Sequence, residues 1–143
     1  MPPDPTLPER PGPGARADGV TSRRSPRPVA ETVARVGAAA GDKGLKVFAV
    51  IDHSGEAAAA GLALRDTKLV VLGSPAAGTP VMEAAPLSAL DLPLKVLVWE
   101  EGPGVVWVSV NDPAWLARRH GLPPDLAGRL AGITGLVEAV VAP

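Results

Sequence analysis

The 143-residue chain contains no cysteine. Disulfide frameworks, thiolate nucleophiles and zinc sites built on cysteine are therefore excluded. Histidine is scarce: His53 and His120 are the only two, and they share no short spacing that would suggest a metal centre. Aromatic residues make up 3%, namely Phe48, Trp99, Trp107 and Trp115, so the core has to be built from Val, Leu, Ala and Ile. There is no basic excess: 14 basic residues face 15 acidic ones, for a formal net charge of −1. Nothing is left over to neutralise a phosphate backbone, and nucleic acid is not an expected partner. No apolar run reaches the roughly 18 residues that span a bilayer, so no membrane association is expected. The opening MPPDPTLPERPGPG lacks an apolar segment of the signal-peptide kind, and a cytoplasmic protein is expected.

Hydrophobic residues at 46% and charged residues at 20% describe a globular chain. Residues 1–17 are dense in Pro, Gly, Arg and Asp with little that is apolar. Such a segment buries too little surface to offset its ordering entropy, and it reads as a disordered tail. Residues 18–143 read as a single domain.

Within that domain Val29, Val33, Val36 and Ala40 recur at helical spacing and Gly41 follows as a stop. Pro28 suits the first helical turn. Gly44 to Asp52 reads as a strand with Val47, Ala49 and Ile51 on one face and Lys46, Phe48, Val50 and Asp52 on the other. SGEAAAAG makes a short helical turn. Thr67 to Gly73 is apolar on both faces, as a central strand is. Gly73 to Pro80 (GSPAAGTP) reads as a loop in which Thr79 caps a helix that Pro80 opens. Leu94 to Glu101 and Val105 to Val110 form a hairpin across EGPG. Asp112-Pro113 opens another helix, which ends on Arg118, Arg119 and His120 before Gly121. From Pro124 to Val141, Leu126, Leu130, Ile133, Val137 and Val140 trace one amphipathic helix, weakened by Gly128, Gly132 and Gly135. The order predicts an α+β fold with a single mixed or antiparallel β-sheet and helices mainly on one face.

An ordered string of segments carries a further reading: VFAVIDH, AGLALRDTKLVVLG, SPAAGTP, LDLPLKVLVWE and NDPAWLARRHGL. Together they resemble the bacterial and archaeal family known as domain of unknown function 302. The resemblance covers most of the chain beyond the tail and supports a short first strand near Gly19 to Arg24. It implies the element order β-α-β-β-α-β-β-α in a fold broadly like the TATA-box-binding-protein class. That likeness is one of fold and carries no implication of DNA binding. The family has no established activity, so the resemblance implies no reaction and no cofactor.

Several strands are apolar on both faces, whereas helices on one side cover only one. The second face would leave an apolar patch in water, which monomers rarely tolerate. A homodimer through an apolar sheet face is therefore expected, or a sheet curled around a small ligand. The alternative is a C-terminal helix folded back over the second face.

Candidate chemistry is sparse. His53 follows Asp52 at a strand end, where a histidine could serve as a base, a metal ligand or an axial haem ligand. It resembles a histidine frequent in the family after the VFA-x-ID segment. If a metal binds at all, His53 is the candidate ligand; the bland reading is a strand-end residue capping backbone groups. GSPAAGTP has neither the Walker pattern nor the dinucleotide glycine spacing. A helix start at Thr79-Pro80, with Gly78 before it, could attract an anion through free N–H groups, or be simply a structural turn. Lys95, on a largely apolar strand, reads as snorkelling or as the ion-pair partner of Asp91. No nucleophile–base pair or paired carboxylates can be argued from spacing, so no catalytic residue is assigned. Two functions follow. One is the binding of a small molecule, anion or metal near His53 and the Gly73–Thr79 stretch, with Asp52 and Lys95 as further candidates. The other is a non-catalytic homodimeric interaction module.

Overall fold

The computed structural model describes residues 4–143. The sheet has five strands: β1 (Val20–Ser25), which is mostly polar, and the apolar-rich β2 (Lys46–Asp52), β3 (Thr67–Gly73), β4 (Leu94–Gly102) and β5 (Val105–Asn111). They form one open sheet in the order β1-β5-β4-β3-β2, with every neighbouring pair antiparallel. Helices α1 (Val29–Asp42), α2 (His53–Ala59), α3 (Pro75–Ala84), α4 (Pro113–His120), α5 (Pro124–Ala127) and α6 (Gly132–Val141) complete the expected α+β architecture.

The core lies between the sheet and the pair α1–α6. Val70, Leu72, Val96, Val98, Val106 and Val108 supply the sheet side; Val36 and Ala40 of α1 and Ile133, Leu136 and Val140 of α6 supply the other. The corner from β1 into α1 is fixed by a buried pair of hydroxyls, Ser25 Oγ and Thr32 Oγ1, 2.6 Å apart. Arg27 donates to the carbonyls of Val140 (3.1 Å) and Ala142 (2.8 Å), which α6 leaves without helical partners.

Four local expectations are corrected. The C-terminal segment is not one helix: α5 gives way to a 3-10 turn over Gly128–Leu130 before α6 begins. Gly128 and Gly132 flank that break, where glycine's loss of backbone entropy makes a continuous helix least favourable. Nor does this segment cover the second sheet face; α6 packs beside α1 on the same side. Strict alternation in β2 also fails. A bulge at Phe48 puts Val47 opposite Leu72 and Val50 opposite Val70, hence both on the helix side, while Ala49 and Ile51 lie on the open side. Finally, Pro28 stands just before α1 as its N-cap residue.

The second face is not a uniform apolar patch. Lys95 and Ser109 lie on it among Leu69, Val71 and Leu97. Trp99 and Trp107, paired across β4 and β5, are buried on the same side. Trp99 Nε1 donates to Ser109 Oγ at 2.9 Å. Trp107 Nε1 donates to Glu101 Oε1 at 3.1 Å, and Glu101 Oε2 accepts the amide of Gly12 at 2.9 Å. The N-terminal segment, which carries a 3-10 turn at Pro13–Ala15, is thereby tied to the sheet. Exposed large apolar residues concentrate instead on β2 and the segments after it: Val47, Phe48, Val50, Ile51, Leu62, Leu64, Leu87 and Leu90.

Candidate functional site

A groove of about 310 Å³ opens where β2, β3 and β4 meet α3. Its apolar walls are Phe48, Met82, Leu92, Pro93, Leu94 and Leu130. Gly73, Ser74, Ala77, Gly78 and Thr79 line it as well, and Arg129 is its one charged lining residue.

The local sequence explains why this space exists. Ser74-Pro75 and Thr79-Pro80 each offer the same signal, a hydroxyl cap followed by proline at the first helical position. The chain uses the first. Ser74 Oγ accepts the Ala77 amide at 3.3 Å, and α3 runs from Pro75. Thr79 is thus no cap, and GSPAAGTP is mostly helix. Pro80 sits inside α3, where it cannot donate to the carbonyl four residues back. The free amides expected at Thr79 are absent, and Gly78 N–H donates to the Ser74 carbonyl at 2.9 Å. The physical basis for an anion site at that point is gone. Gly78 keeps the groove open: a Cβ there would lie 3.8 Å from Met82 Cε and 3.9 Å from Leu92 Cδ1, in ordinary contact. The bulge in β2 has a related effect, because Phe48 as the extra residue joins the groove wall.

Asp52 and His53 lie at the other end of β2. Antiparallel pairing puts Lys46 beside Gly73 but Asp52 beside Lys68, six residues along the ladder and about 20 Å away. Asp52 caps α2. Its Oδ1 accepts from the Gly55 amide (2.9 Å), the Ser54 hydroxyl (3.0 Å) and Lys68 Nζ (3.2 Å). These bonds, the Gly55 amide first, hold its carboxyl below the ordinary aspartate value. Lys68 bridges Asp52 and Asp66, and the bond to Asp66 (2.9 Å) is the main reason its ammonium is held above the usual lysine value. His53 is the first, exposed residue of α2. Among the described residues no group of three or more His, Asp or Glu side chains is placed to hold a metal ion.

Lys95 faces the open side of the sheet, opposite Val71, and so lies across the sheet from the groove. It donates to the Pro93 carbonyl at 3.2 Å. The ion pair with Asp91 does not form. Asp91 accepts instead from Arg119 Nη1 at 3.0 Å and lies 2.6 Å from His120 Nε2. Of the five sequence candidates, only Gly78 and Thr79 come together in one cavity. Sequence reasoning missed Phe48, Met82, Leu92 and Arg129. An apolar side chain that lines a groove carries the same signal as one that fills a core.

Comparison with known proteins gives three results. The family model described as Domain of unknown function DUF302 matches residues 21–140. A protein of Brucella suis biovar 1 (strain 1330), named fluoride-specific ion channel FluC 1, is 46% identical over 119 residues, covering 82% of this chain and 46% of its own length. A protein of the same name from Brucella abortus biovar 1 (strain 9-941) is also 46% identical over 119 residues, which is 44% of its length. The chain therefore spans about half the length of the curated relatives it matches. Among solved structures, an uncharacterized conserved protein DUF302 from Bacillus stearothermophilus superposes with a TM-score of 0.74 at 19% identity, covering 87% of this chain and 97% of that one. That likeness shows the fold.

Proposed function

The chain belongs to the family of the domain of unknown function 302, and from the geometry of its groove we propose that it is a non-catalytic module binding a small, mainly apolar molecule with one anionic end. The observation that carries this reading is the groove of about 310 Å³ between Phe48, Met82, Leu92 and Leu130, with Arg129 at its margin. Small-ligand sites are typically concave, mostly apolar and equipped with a few polar groups that fix orientation. Arg129 forms no ion pair among the described residues, so its guanidinium is available to a carboxylate. Medium-chain aliphatic carboxylic acids fit both the walls and the charge. The reading keeps the small molecule expected from the sequence and places it at Gly78 and Thr79, away from His53.

Calorimetric titration with octanoate tests it. Gly78→Leu would fill the groove while raising helix propensity by about 1 kcal/mol, and far-ultraviolet circular dichroism checks that the variant is folded. Binding to the wild-type protein, weaker binding to Arg129→Ala and none to Gly78→Leu is the expected pattern. Equal heats for wild type and Gly78→Leu would overturn it.

A second reading rests on the Brucella relatives. No helix among the described residues is long and apolar enough to cross a membrane. A helical pore in those relatives would then lie in the half that this chain does not match. On this reading the matched half is an accessory domain, and the present chain serves such a channel in the same way. Fluoride tolerance of cells expressing such a channel, with and without the chain, checks it; identical tolerance counts against it.

A further inference from the structure

The open face of the sheet is apolar toward β2 and β3, where Ala49, Ile51, Leu69 and Val71 lie. Toward β1 it changes character. There Ser22 pairs with Ser109, and their hydroxyl oxygens lie 2.6 Å apart. Trp99 Nε1 reaches the same Ser109 Oγ at 2.9 Å. An indole nitrogen can only donate, so Ser109 Oγ accepts from it. The bond between the two hydroxyls uses one of their two protons, whichever residue gives it. One hydroxyl proton is left over, and no group among the described residues accepts it.

Beside this pair the face has a hollow of about 170 Å³, lined by Val20, Leu69, Lys95, Leu97, Ser109, Val110 and Asn111. Lys95 gives one N–H to the Pro93 carbonyl and forms no ion pair among the described residues, so two of its three donors are free. Asn111 is two residues beyond Ser109 on β5 and so on the same face, where its carboxamide adds two more N–H donors. Glu101 is the carboxylate that the strands carry on this side, and it is taken by Trp107 Nε1 and the Gly12 amide. The hollow thus combines surplus donors, one positive charge and apolar walls.

We propose that this hollow is a second binding site, for a small monocarboxylate of acetate or propionate size, held by Lys95, Asn111 and the Ser22–Ser109 pair. The ammonium matches a single negative charge through charge-assisted hydrogen bonds. Val20, Leu69 and Leu97 receive the short hydrocarbon end. A doubly charged phosphate fits less well, because one of its charges would lie uncompensated against those apolar walls. The hollow and the groove lie on opposite faces of the sheet and share no lining residue, so this site stands independently of the groove reading.

Trp99 supplies the reporter, because its indole N–H ends on Ser109. Its signal in a two-dimensional nitrogen–proton NMR spectrum is assigned with Trp99→Phe. The protein is titrated with sodium acetate, and with sodium chloride at matched ionic strength as the control. Acetate should shift the Trp99 indole signal saturably in the millimolar range, and chloride should not. Lys95→Met keeps an apolar stem of similar length and removes the charge; it should weaken binding at least about tenfold, as the loss of a charge-assisted hydrogen bond does. Asn111→Ala should weaken it less. Gly78→Leu, which fills the groove on the other face, should leave it unchanged. Signal dispersion in each spectrum establishes that the variant is folded. A shift that chloride reproduces, or one that does not saturate, would overturn the proposal. So would saturable acetate binding that Lys95→Met leaves unchanged or that Gly78→Leu abolishes, since the carboxylate would then sit elsewhere.

Discussion

His120 Nε2 lies 2.6 Å from Asp91 Oδ2, with side chains only 7% and 16% exposed. The contact joins the end of α4 to the turn that leads into β4, and Arg119 adds a second bond to the same carboxylate. Arg119 in turn lies over the ring of Trp115, 5.8 Å from its centre.

Removing the imidazole leaves Asp91 half-buried with one partner fewer. His120→Ala is expected to lower stability by about 1–3 kcal/mol, the range for an uncompensated buried polar group. Asp91→Asn, which keeps the shape and a hydrogen-bonding oxygen, should cost less. Urea unfolding of the three proteins measures this. Equal midpoints would show that the contact contributes nothing net.

The start of α3 can be checked with two alanines. Ser74→Ala removes the hydroxyl that accepts the Ala77 amide and should cost about 1 kcal/mol, as loss of an N-cap does. Thr79→Ala, inside the helix, should be neutral or slightly stabilising because alanine has the higher helix propensity. The reverse ranking in thermal or urea unfolding would move the helix start to Thr79.

Asp52 makes a pH-dependent contribution whose sign follows from its lowered folded-state value. A carboxyl lowered on folding stabilises the protein above its unfolded value, about 3.9 for aspartate. That contribution disappears as pH falls through the lower folded value. Asp52→Asn should therefore be less stable than wild type near neutrality, and the difference should shrink in acid. Urea unfolding at about pH 6 and about pH 3 tests it; a gap that widens in acid would contradict the assignment.

Much of the fold was legible because strand and helix signals are periodic. The hairpin across EGPG, the Asp112 cap and the Gly121 stop all come from local chemistry; Asp112 accepts the Ala114 amide at 3.0 Å and Gly121 is left-handed with φ of 62°. Where two local signals were equivalent, the sequence could not choose. Ser74-Pro75 and Thr79-Pro80 have the same cap chemistry, and tertiary packing decides between them. Periodicity also hid the bulge at Phe48, since one extra residue leaves an apolar strand looking regular. The groove was less legible still. It is assembled from β2, β3, α3, the turn before β4 and the Gly128–Leu130 turn, so no single segment carries its pattern.

The sheet order also bears on how the chain reaches its fold. β2 and β3 are near neighbours in sequence, and β4 with β5 forms a hairpin, so each pair closes a short loop. β1 is different: Val20 pairs with Asn111 and has no strand partner before β5 exists. On a ribosome the first strand synthesised waits for the last, and its docking closes the longest loop in the sheet. Long closures cost more entropy and slow folding. The N-terminal strand is thus the one element of the sheet whose place depends on the most distant part of the chain.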